Sequence, residues 1–416
     1  MSKILVEGGA RLTGTVSTLG AKNAVLKEIV STLLAPGRHH LTNVPSILDV
    51  ELMVRVLEHT GCHVEVGDHE LWIVVPDAPR PEAPIELVRL MRASIVVLGP
   101  LLARCGEARV ALPGGDDLGA RPIEWHMHGL EQMGASFELV HGELVARVDG
   151  RLKGTEVELP FPSVGATENL LFAGVLAEGE TIIFNAAREP EIQDLISQLN
   201  AMGADIEGGG TSLITIHGVE SLQPVEHAVV ADRLEAGTYA VAAAITGGDL
   251  TVTGCQPEHL RMELAKLEAA GCGVEQGEGW LRVKGPDRPD PIDFATLPYP
   301  GFHTDMQPQM VALLSLSTGT SVITENLYDA RYRYVGELLR MGADISIEVQ
   351  HAIIRGVDRL SGCPVLAPDI RAGAALVLAG LAAEGVTEVS DPSHIDRGYE
   401  DLVGKLSSLG AKIERS

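Results

Sequence analysis

Charged and hydroxyl residues recur in phase along the chain, each where an apolar helix is expected to begin. They are Lys22, Arg92, Ser163, Asp232, Arg233, Asp305 and Arg371. Because the N-terminus of a helix has unpaired N–H groups and a partial positive charge, it attracts anions. Each residue alone is better explained as a helix cap or a solvated charge. Their recurrence in phase instead indicates a shared anion-binding role.

The arginines near the end of the chain add to this pattern. Arg371 and Arg397 follow closely on Asp369 and Asp396, so ion pairs within one segment are an alternative explanation. Arg331 is alternatively an exposed residue. Guanidinium groups bind phosphate and carboxylate through two parallel hydrogen bonds, so in an acidic chain we favour an anionic ligand.

The segment from Leu112 to Pro122, LPGGDDLGARP, is rich in glycine and proline. It is either a flexible acidic turn or a lid that brings Asp116 and Arg121 over a ligand. It has neither the GK[ST] ending of a Walker loop nor a GxGxxG dinucleotide fingerprint. We favour the lid, because such a segment has no evident packing role.

Two series of glycines divide the chain into six copies of one unit of about 70 residues. The first series is Gly61, Gly134, Gly203, Gly271, Gly342 and Gly410, at intervals of 68 to 73 residues. The second series, 23 to 28 residues earlier, is Gly37, Gly106, Gly179, Gly248, Gly319 and Gly385. Such a period indicates a fold built from copies of one supersecondary unit.

Each unit has the pattern of an α/β repeat. In the third unit, one face of a helix that ends at Gly203 is formed by Ile192, Leu195, Ile196, Leu199 and Met202. In the second, residues 135–140 and 143–148 flank His141-Gly142 as the arms of a hairpin. Strand, helix, strand and hairpin follow in this order, which predicts an α/β fold of βαβαββ-like repeats.

The six units split into three and three. Similar proline-rich connectors, at residues 76–84 and 286–291, lie three periods apart. One unit cannot bury its helix faces alone, so neighbouring units must close on each other. We expect one domain at residues 21–229, carrying the 113–122 loop, and a second at residues 1–20 plus 230–416. The chain is expected to cross between them near Gly20 and Val229.

The composition limits the classes of function. A net charge of −25 disfavours nucleic acid and anionic membranes as partners. The chain has no charged-then-apolar leader and no apolar run of about 18 residues. We therefore expect a cytoplasmic protein with no membrane insertion. The five cysteines have no CxxC spacing and are expected to be small core residues rather than metal ligands or disulfides.

Seven short motifs resemble one family. They are GAKNA at 20–24, MRAS at 91–94, the loop at 113–122, SVGAT at 163–167, NAAREPE at 185–191, TDMQ at 304–307 and HIDRGY at 394–399. Together they resemble the UDP-N-acetylglucosamine 1-carboxyvinyltransferase family over essentially the whole chain. The resemblance implies two inverted α/β barrel domains of three repeats each, with the active site in the cleft between them.

The same resemblance implies the first committed step of bacterial peptidoglycan synthesis. In that reaction the enolpyruvyl group of phosphoenolpyruvate moves to the 3-hydroxyl of UDP-N-acetylglucosamine, and phosphate leaves. No metal or organic cofactor is implied, and the sequence leaves the oligomeric state open.

The family's functional positions map onto this chain residue by residue. Phosphoenolpyruvate-binding positions correspond to Lys22, Asn23, Arg121 and Arg397, and nearby family arginines to Arg92, Arg331 and Arg371. Sugar-nucleotide contacts correspond to Arg92, Arg121, Pro122, Ile123, Glu124, Trp125, Ser163, Val164, Gly165, Asp305 and Leu327. Asp305 matches the base, or the residue that orients it, and Asp116 stands at the proton donor's position. Lys22 and Arg397 complete the catalytic set.

Three positions depart from the commonest family pattern. Asp116 replaces the usual cysteine, and it can donate a proton only if burial or substrate charge raises its pKa. His303 stands where the family often has proline, and we expect it to loosen the loop that carries Asp305. Phe161 replaces a lysine of some members, which leaves the nucleotide contacts there open.

Two other functions remain in view. The 5-enolpyruvylshikimate-3-phosphate synthases share the fold and chemistry, but their characteristic Asn-Ala-Gly-Thr-type loop is absent here. A scaffold that binds a sugar nucleotide without catalysis is the other alternative. The presence of Lys22, Asp116, Asp305 and Arg397 argues against it.

Overall fold

A computed structural model describes residues 2–112, 114, 118–119 and 123–416. Three positions of the expected site, Asp116, Arg121 and Pro122, therefore lie outside the described residues, as does most of the expected lid.

The described α-helices are α1 Lys22–Ser31, α2 Leu48–His59, α3 Ile85–Val88, α4 Leu98–Cys105, α5 Glu124–Gln132, α6 Val164–Gly174, α7 Pro190–Ala201, α8 Arg233–Thr246, α9 Arg261–Ala269, α10 Gln307–Leu314, α11 Val335–Arg340, α12 Ile370–Ala382, α13 Ser393–Asp396 and α14 Leu402–Ser408. Short 3-10 helices lie at Thr32–Leu34, Arg92–Val97, Pro257–Leu260, Thr304–Met306 and Arg331–Tyr334.

The described strands are β1 Lys3–Glu7, β2 Thr13–Ser17, β3 Gly37–Thr42, β4 His63–Val66, β5 Glu70–Val75, β6 Glu107–Ala111, β7 Ser136–Val140, β8 Glu143–Arg147, β9 Glu156–Glu158, β10 Glu180–Phe184, β11 Asp205–Glu207, β12 Leu213–His217, β13 Glu226–Ala228, β14 Asp249–Thr253, β15 Gly273–Gly277, β16 Trp280–Lys284, β17 Phe294–Ala295, β18 Thr320–Thr324, β19 Asp344–Glu348, β20 His351–Arg355, β21 Pro364–Leu366, β22 Val386–Ser390 and β23 Lys412–Arg415.

The chain forms two compact units. The first, called the N-terminal unit, comprises residues 20–112, 114 and 123–230, and the second, called the C-terminal unit, comprises residues 2–19, 118–119 and 231–416. Each has its own hydrophobic core. Leu118 groups with the C-terminal unit, where its carbonyl accepts a hydrogen bond from Ala330 N at 3.3 Å.

The sheets repeat one topology. In the N-terminal unit the strand orders are β13-β3-β5-β4, β6-β8-β7 and β11-β12-β10-β9. In the C-terminal unit they are β15-β16-β14-β2, β17-β18-β20-β19 and β21-β22-β1-β23. In each four-stranded sheet one inner strand pairs parallel with an edge strand and antiparallel with the other inner strand, as β3 does with β13 and β5. The mixed α/β class expected from the sequence is confirmed.

In the core of the N-terminal unit α4 packs on α6, and α1 packs on the 3-10 helix Arg92–Val97 that precedes α4. In the core of the C-terminal unit the helices α8, α10 and α12 pack on each other. Their apolar residues are not confined to one face, since every residue from Ile370 to Leu381 of α12 is buried. Such all-round burial is typical of a core helix. Lys22, Ser163, Asp232, Arg233 and Arg371 lie at the starts of α1, α6, α8 and α12, as expected. Arg92 and Asp305 lie instead in the 3-10 helices that precede α4 and α10.

The first glycine series ends the outer helices of the repeats. All six glycines have φ between 91° and 100°, a left-handed conformation that ends a helix and that glycine adopts without strain. The predicted helix over Ile192 to Met202 is α7, with those residues buried. The predicted hairpin is β7 and β8, with Val140 opposite Glu143.

The last sheet is completed by the beginning of the chain. Strand β1 lies between β22 and β23 and pairs antiparallel with both, with Ile4 opposite Val389 and Arg415. It occupies the place that the second hairpin arm has in the other sheets. The sequence analysis did not predict this pairing.

An asparagine recurs after the first inner strand of three repeats. Asn43, Asn185 and Asn326 donate from Nδ2 to the carbonyl oxygens of Val229, Leu159 and Thr296 at 2.8, 2.9 and 3.0 Å. Each acceptor follows the parallel edge strand of the same sheet. The side chain thus extends the pairing of the two strands by one hydrogen bond.

No helix in the described part of the chain combines the length and the apolar character required to cross a bilayer. Cys62, Cys255 and Cys272 are buried, and Cys105 and Cys363 are half-buried.

Asn185 offers a test of the strand-end device, because its φ of 55° is left-handed. Asn185→Ala should lower the free energy of unfolding by about 2 kcal/mol, since it loses one hydrogen bond and places alanine in the left-handed region. Asn185→Gly removes only the bond and should cost about 1 kcal/mol. Urea unfolding of both variants checks this, and equal losses would contradict the conformational part of the explanation.

Candidate active site

The C-terminal unit buries two arginines against one carboxylate. Arg331 Nη2 donates to Asp305 Oδ1 at 3.2 Å, and Arg371 Nε donates to Asp305 Oδ2 at 3.3 Å. The two arginine side chains are 1% and 3% exposed, whereas that of Asp305 is 20% exposed. The alternative that Arg331 is an exposed residue is therefore wrong.

This cluster has more hydrogen-bond donors than its carboxylate can satisfy. Arg331 Nε and both Nη atoms of Arg371 are buried and have no hydrogen-bond partner among the described residues. Leaving a buried charged donor unsatisfied is costly. The donors that remain unsatisfied beside the partly exposed Asp305 are groups that could bind an anion.

Three short elements position the cluster. Asp305 lies in the 3-10 helix that precedes α10, Arg331 in the one that precedes α11, and Arg371 in the first turn of α12. Asp369 caps α12 by accepting hydrogen bonds from Arg371 N and Ala372 N at 2.8 and 2.9 Å. Asp369 thus binds the backbone N–H of Arg371 as a helix cap, in place of the side-chain ion pair that was considered from the sequence.

Arg371 also contacts a buried polar network. Its guanidinium carbon lies 5.1 Å from the centroid of the Tyr399 ring, within the range of a cation–π contact. Tyr399 Oη is 2.9 Å from Thr238 Oγ1, and Gln309 Nε2 donates to both oxygens. The network joins α8, α10 and the segment after α13, so it fixes the ring that faces Arg371.

Arg397 follows α13 and is half-buried. The neighbouring Asp396 accepts a hydrogen bond from Arg415 Nη1 at 3.0 Å. The ion pair considered for Asp396 is therefore made by Arg415.

Glu325 organises the loop beside this cluster, and sequence reasoning did not identify it. Its Oε1 accepts hydrogen bonds from Thr296 Oγ1 and Leu327 N, both at 2.9 Å, and from Tyr328 N at 3.2 Å. Its Oε2 accepts from Thr304 Oγ1 at 2.9 Å. One buried carboxylate thus joins the segment that precedes Asp305 to the loop that carries Leu327.

His303 caps the 3-10 helix of Asp305. Its Nδ1 accepts a hydrogen bond from Asp305 N at 3.0 Å, and its own N–H donates to Glu263 Oε1 at 2.9 Å. The expectation that His303 loosens this segment is therefore wrong, because both its backbone and its ring hold the segment in place.

In the N-terminal unit the first residue of α1 forms a buried ion pair. Lys22 Nζ lies 3.1 Å from Asp49 Oδ2, and the Asp49 side chain is fully buried at the start of α2. Asn23 is the next residue of α1 and is half-buried. Asp49 is another residue that sequence reasoning missed, since nothing in its spacing relates it to Lys22.

The start of α6 lies against α5. Ser163 caps α6 by accepting a hydrogen bond from Ala166 N at 3.4 Å. A Cβ atom on Gly165 would come within 2.9 Å of His126 Cε1, so a larger residue does not fit there. His126 Nδ1 is 2.8 Å from Asn169 Nδ2. Burial, with the nearby Arg92, lowers the pKa of His126 to about 4, so its imidazole is neutral.

An aromatic surface lies beside these residues. The rings of Trp125 and Phe161 are stacked with centroids 5.7 Å apart and an interplanar angle of 26°. Trp125 and Glu124 also line a cavity of about 810 Å³ in the N-terminal unit. Phe161, where some family members have lysine, thus supplies an apolar surface in place of a charge.

One group of described residues has the donor types of a metal site: Glu28, Asp194 and His227. His227 Nε2 is 3.0 Å from Asp194 Oδ1, and Asp194 Oδ2 accepts a hydrogen bond from Val230 N at 2.7 Å. Burial, with the neighbouring Asp194, raises the pKa of Glu28 well above its usual range. A raised pKa favours the neutral form of Glu28, and a neutral carboxyl group is a weaker metal ligand than a carboxylate.

Comparisons with known proteins agree with one another. The profile of the family described as EPSP synthase (3-phosphoshikimate 1-carboxyvinyltransferase) matches residues 6–406. The UDP-N-acetylglucosamine 1-carboxyvinyltransferase of Corynebacterium jeikeium is 53% identical over 411 residues, which cover 99% of this chain and 98% of that protein. The protein of the same name from Mycobacterium tuberculosis is 52% identical over 413 residues, 99% of each chain.

Solved structures share the fold. The enolpyruvyl transferase NikO from Streptomyces tendae has a TM-score of 0.91 and 25% identity, with 100% of this chain and 99% of that one covered. An EPSP synthase from Acinetobacter baumannii has a TM-score of 0.77 and 20% identity, with 100% of both chains covered.

The organising role of Glu325 gives a stability prediction. Glu325→Leu leaves two backbone N–H groups and two threonine hydroxyls without their acceptor, so it should lower the free energy of unfolding by about 3 kcal/mol or more. Glu325→Gln keeps one carbonyl oxygen as acceptor and should cost less than half of that. Thermal and urea unfolding measure both changes. Equal losses would contradict the prediction, because they would show that the amide oxygen of glutamine does not replace the carboxylate as an acceptor.

Proposed function

The chain belongs to the UDP-N-acetylglucosamine 1-carboxyvinyltransferase family, and we propose that it transfers the enolpyruvyl group of phosphoenolpyruvate to the 3-hydroxyl of UDP-N-acetylglucosamine. The observation that carries this proposal is identity of 52% or more over 99% of the chain to relatives of that name. The proposed role is the first committed step of peptidoglycan synthesis, in the cytoplasm.

The donor is a small, multiply charged anion, so it needs cations. Its proposed ligands are Lys22, Asn23, Arg121 and Arg397. Arg331 and Arg371 are proposed as further anion ligands, because their unsatisfied buried donors lie beside Asp305. Charge-assisted hydrogen bonds of this kind are about twice as strong as neutral ones.

The acceptor hydroxyl is a poor nucleophile until its proton is removed. Asp305 is the proposed base, and the two guanidinium groups that bind its oxygens orient the carboxylate toward one direction. The sugar oxygen then attacks C2 of phosphoenolpyruvate while a proton, proposed to come from Asp116, adds to the methylene carbon. The tetrahedral ketal that forms loses a proton from the new methyl group together with phosphate, which restores the double bond.

The sugar nucleotide has its own set of proposed contacts, at the positions that correspond to those of the family. They are Arg92, Arg121, Pro122, Ile123, Glu124, Trp125, Ser163, Val164, Gly165, Asp305 and Leu327. The stacked Trp125 and Phe161 rings support a role in holding an apolar or planar part of the ligand. The capped first turn of α6 supplies backbone N–H groups for its phosphates.

Phosphate release from phosphoenolpyruvate tests the function directly. We expect release with UDP-N-acetylglucosamine and none with shikimate 3-phosphate, which separates this activity from the EPSP synthase reaction. Asp305→Asn should lower kcat by roughly 100-fold or more, because the base is lost. Asp249→Asn is the control, since Asp249 also binds an arginine through both oxygens but lies half-exposed on β14. Binding of the sugar nucleotide without phosphate release would instead favour a non-catalytic scaffold.

The acid at position 116 predicts insensitivity to fosfomycin, the epoxide that alkylates the family's cysteine. A carboxylate is a far weaker nucleophile than a thiolate, so preincubation with the drug should leave activity unchanged. Asp116→Cys should introduce time-dependent inactivation. A wild-type enzyme inactivated at low concentration, or a cysteine variant that stays insensitive, would show that Asp116 does not stand at that position.

A further inference from the structure

The N-terminal unit buries a second ion pair that the proposed chemistry does not use. Lys27 Nζ of α1 lies 3.4 Å from Glu168 Oε1 of α6, and both side chains are at least nine-tenths buried. A buried ion pair is rarely more stabilising than apolar residues of similar size, because both charges lose their hydration. Packing alone therefore does not account for these two charges.

The same lysine holds the first turn of α1. Lys27 Nζ donates a hydrogen bond to the carbonyl oxygen of Asn23 at 2.6 Å. The N-cap position of α1, Ala21, has no side chain that caps the helix, and the first turn contains no acidic residue. In contrast, α6, α8 and α12 begin with the capping side chains of Ser163, Asp232 and Asp369.

The turn that Lys27 holds is the one that begins with Lys22 and Asn23. Lys22 is itself fixed by Asp49. The backbone from which both side chains project is therefore held at two points, through the Lys22 ammonium and through the Asn23 carbonyl. A shift of about 1 Å in groups that bind a reacting ligand can cost 100-fold in rate.

We propose that Lys27 and Glu168 are a positioning pair, which fixes the first turn of α1 and thereby sets the affinity for phosphoenolpyruvate. This inference rests on the proposed function, since it takes Lys22 and Asn23 as ligands of that substrate. Glu168 provides the counter-charge that allows a lysine to remain in this buried place. Lys27 in turn acts through Asn23 and does not contact the substrate.

The charged groups around Lys27 and Glu168 determine the pH at which the pair should be tested. Glu168 is faced by Lys27 from α1 and by Glu189 and Glu191 from the start of α7. Lys27 also acts on the neighbouring Glu28, whose own neighbour is Asp194 of α7. Lys22 and Asp49 form the other ion pair at the start of α1. Burial raises the pKa of Glu168 to about 7. Lys27 opposes this increase, and the two glutamates add to it. At pH 8 the pair is therefore mostly ionised.

The raised pKa of Glu168 also predicts a pH dependence of stability that can be measured. The folded protein binds the Glu168 proton more tightly than the unfolded chain. The contribution of Glu168 to stability is therefore fully present below about pH 4.5 and is lost as the pH rises through about 7. Glu168→Gln carries no titrating proton and should lack this part of the decline in melting temperature. An unchanged pH profile would show that Glu168 is not the titrating group.

Steady-state kinetics at pH 8 test the positioning role. Lys27→Met should raise the KM for phosphoenolpyruvate by roughly tenfold, with the KM for UDP-N-acetylglucosamine changed less than about twofold. Glu168→Gln retains an oxygen that accepts from Lys27 and should change the first KM by less than about threefold. The control is Lys266→Met, which removes another lysine bound to a backbone carbonyl, that of Asp293 at 2.7 Å in the C-terminal unit.

A double variant separates positioning from folding. Lys27→Met/Glu168→Leu removes both charges, so it should recover the melting temperature that Lys27→Met loses. We expect its KM for phosphoenolpyruvate to stay raised, because the Asn23 carbonyl is still unsupported. Recovery of the wild-type KM together with stability would overturn the proposal and leave the pair a structural one. A wild-type protein that releases no phosphate would instead refute the proposed function, while the melting data would still report on the pair.

Discussion

The burial of two guanidinium groups beside Asp305 is the interaction on which the candidate site depends. Taking each cation out of water costs several kcal/mol, and the nearby carboxylates offset part of that cost. Asp305 bonds both arginines, while Asp369 and Glu325 act on Arg331 and Asp232 acts on Arg371 from a greater distance. Asp305 occupies one donor of each arginine, and buried donors without a partner among the described residues remain on both. These remaining donors are the feature that supports the proposed anionic ligand.

In the N-terminal unit, two largely buried lysines are each paired with one carboxylate. Lys22 is matched by Asp49 and Lys27 by Glu168, each across two helices. Burial and the neighbouring Asp194 raise the pKa of Glu28, which favours its neutral form. The two lysine–carboxylate pairs hold α1 against α2 and α6. The two units thus differ in geometry, because each of these lysines faces one carboxylate of another helix, whereas Arg331 and Arg371 share Asp305.

Much of the fold could be predicted because it repeats. Six copies of one unit make a weak local sequence pattern recognisable, because the same pattern recurs in each copy. The helix-ending glycines, the α7 face and the β7–β8 hairpin were therefore all expected from the sequence and observed. The starts of the core helices could be located for the same reason. The recurrence of Asn43, Asn185 and Asn326 was equally visible in the sequence, but its role becomes clear only when the carbonyl partners are known.

The remaining features depend on contacts between distant residues. Asp49 beneath Lys22, Glu325 beside Thr304 and the pairing of β1 with β22 join positions whose relation no local pattern records. Departures from a family pattern were also hard to interpret in isolation. His303 strengthens the segment that it was expected to loosen, because a ring nitrogen can cap a helix and the proline that the family often has there cannot. Whether a substitution near a site strengthens or weakens the local structure can thus be predicted only when its hydrogen-bond donors and acceptors are known.

The position of β1 has a consequence for how the protein is made. This strand is translated before all other described elements, yet its partners β22 and β23 are among the last. During synthesis its apolar residues, such as Ile4 and Val6, stay unpaired and unburied while the N-terminal unit is synthesised. The C-terminal unit is thus interrupted in the chain by its neighbour, and its last sheet can form only after β22 and β23 have been synthesised. Of the described strands, β1 therefore stays without its partners for the longest stretch of synthesis, which would make it the strand most in need of a chaperone.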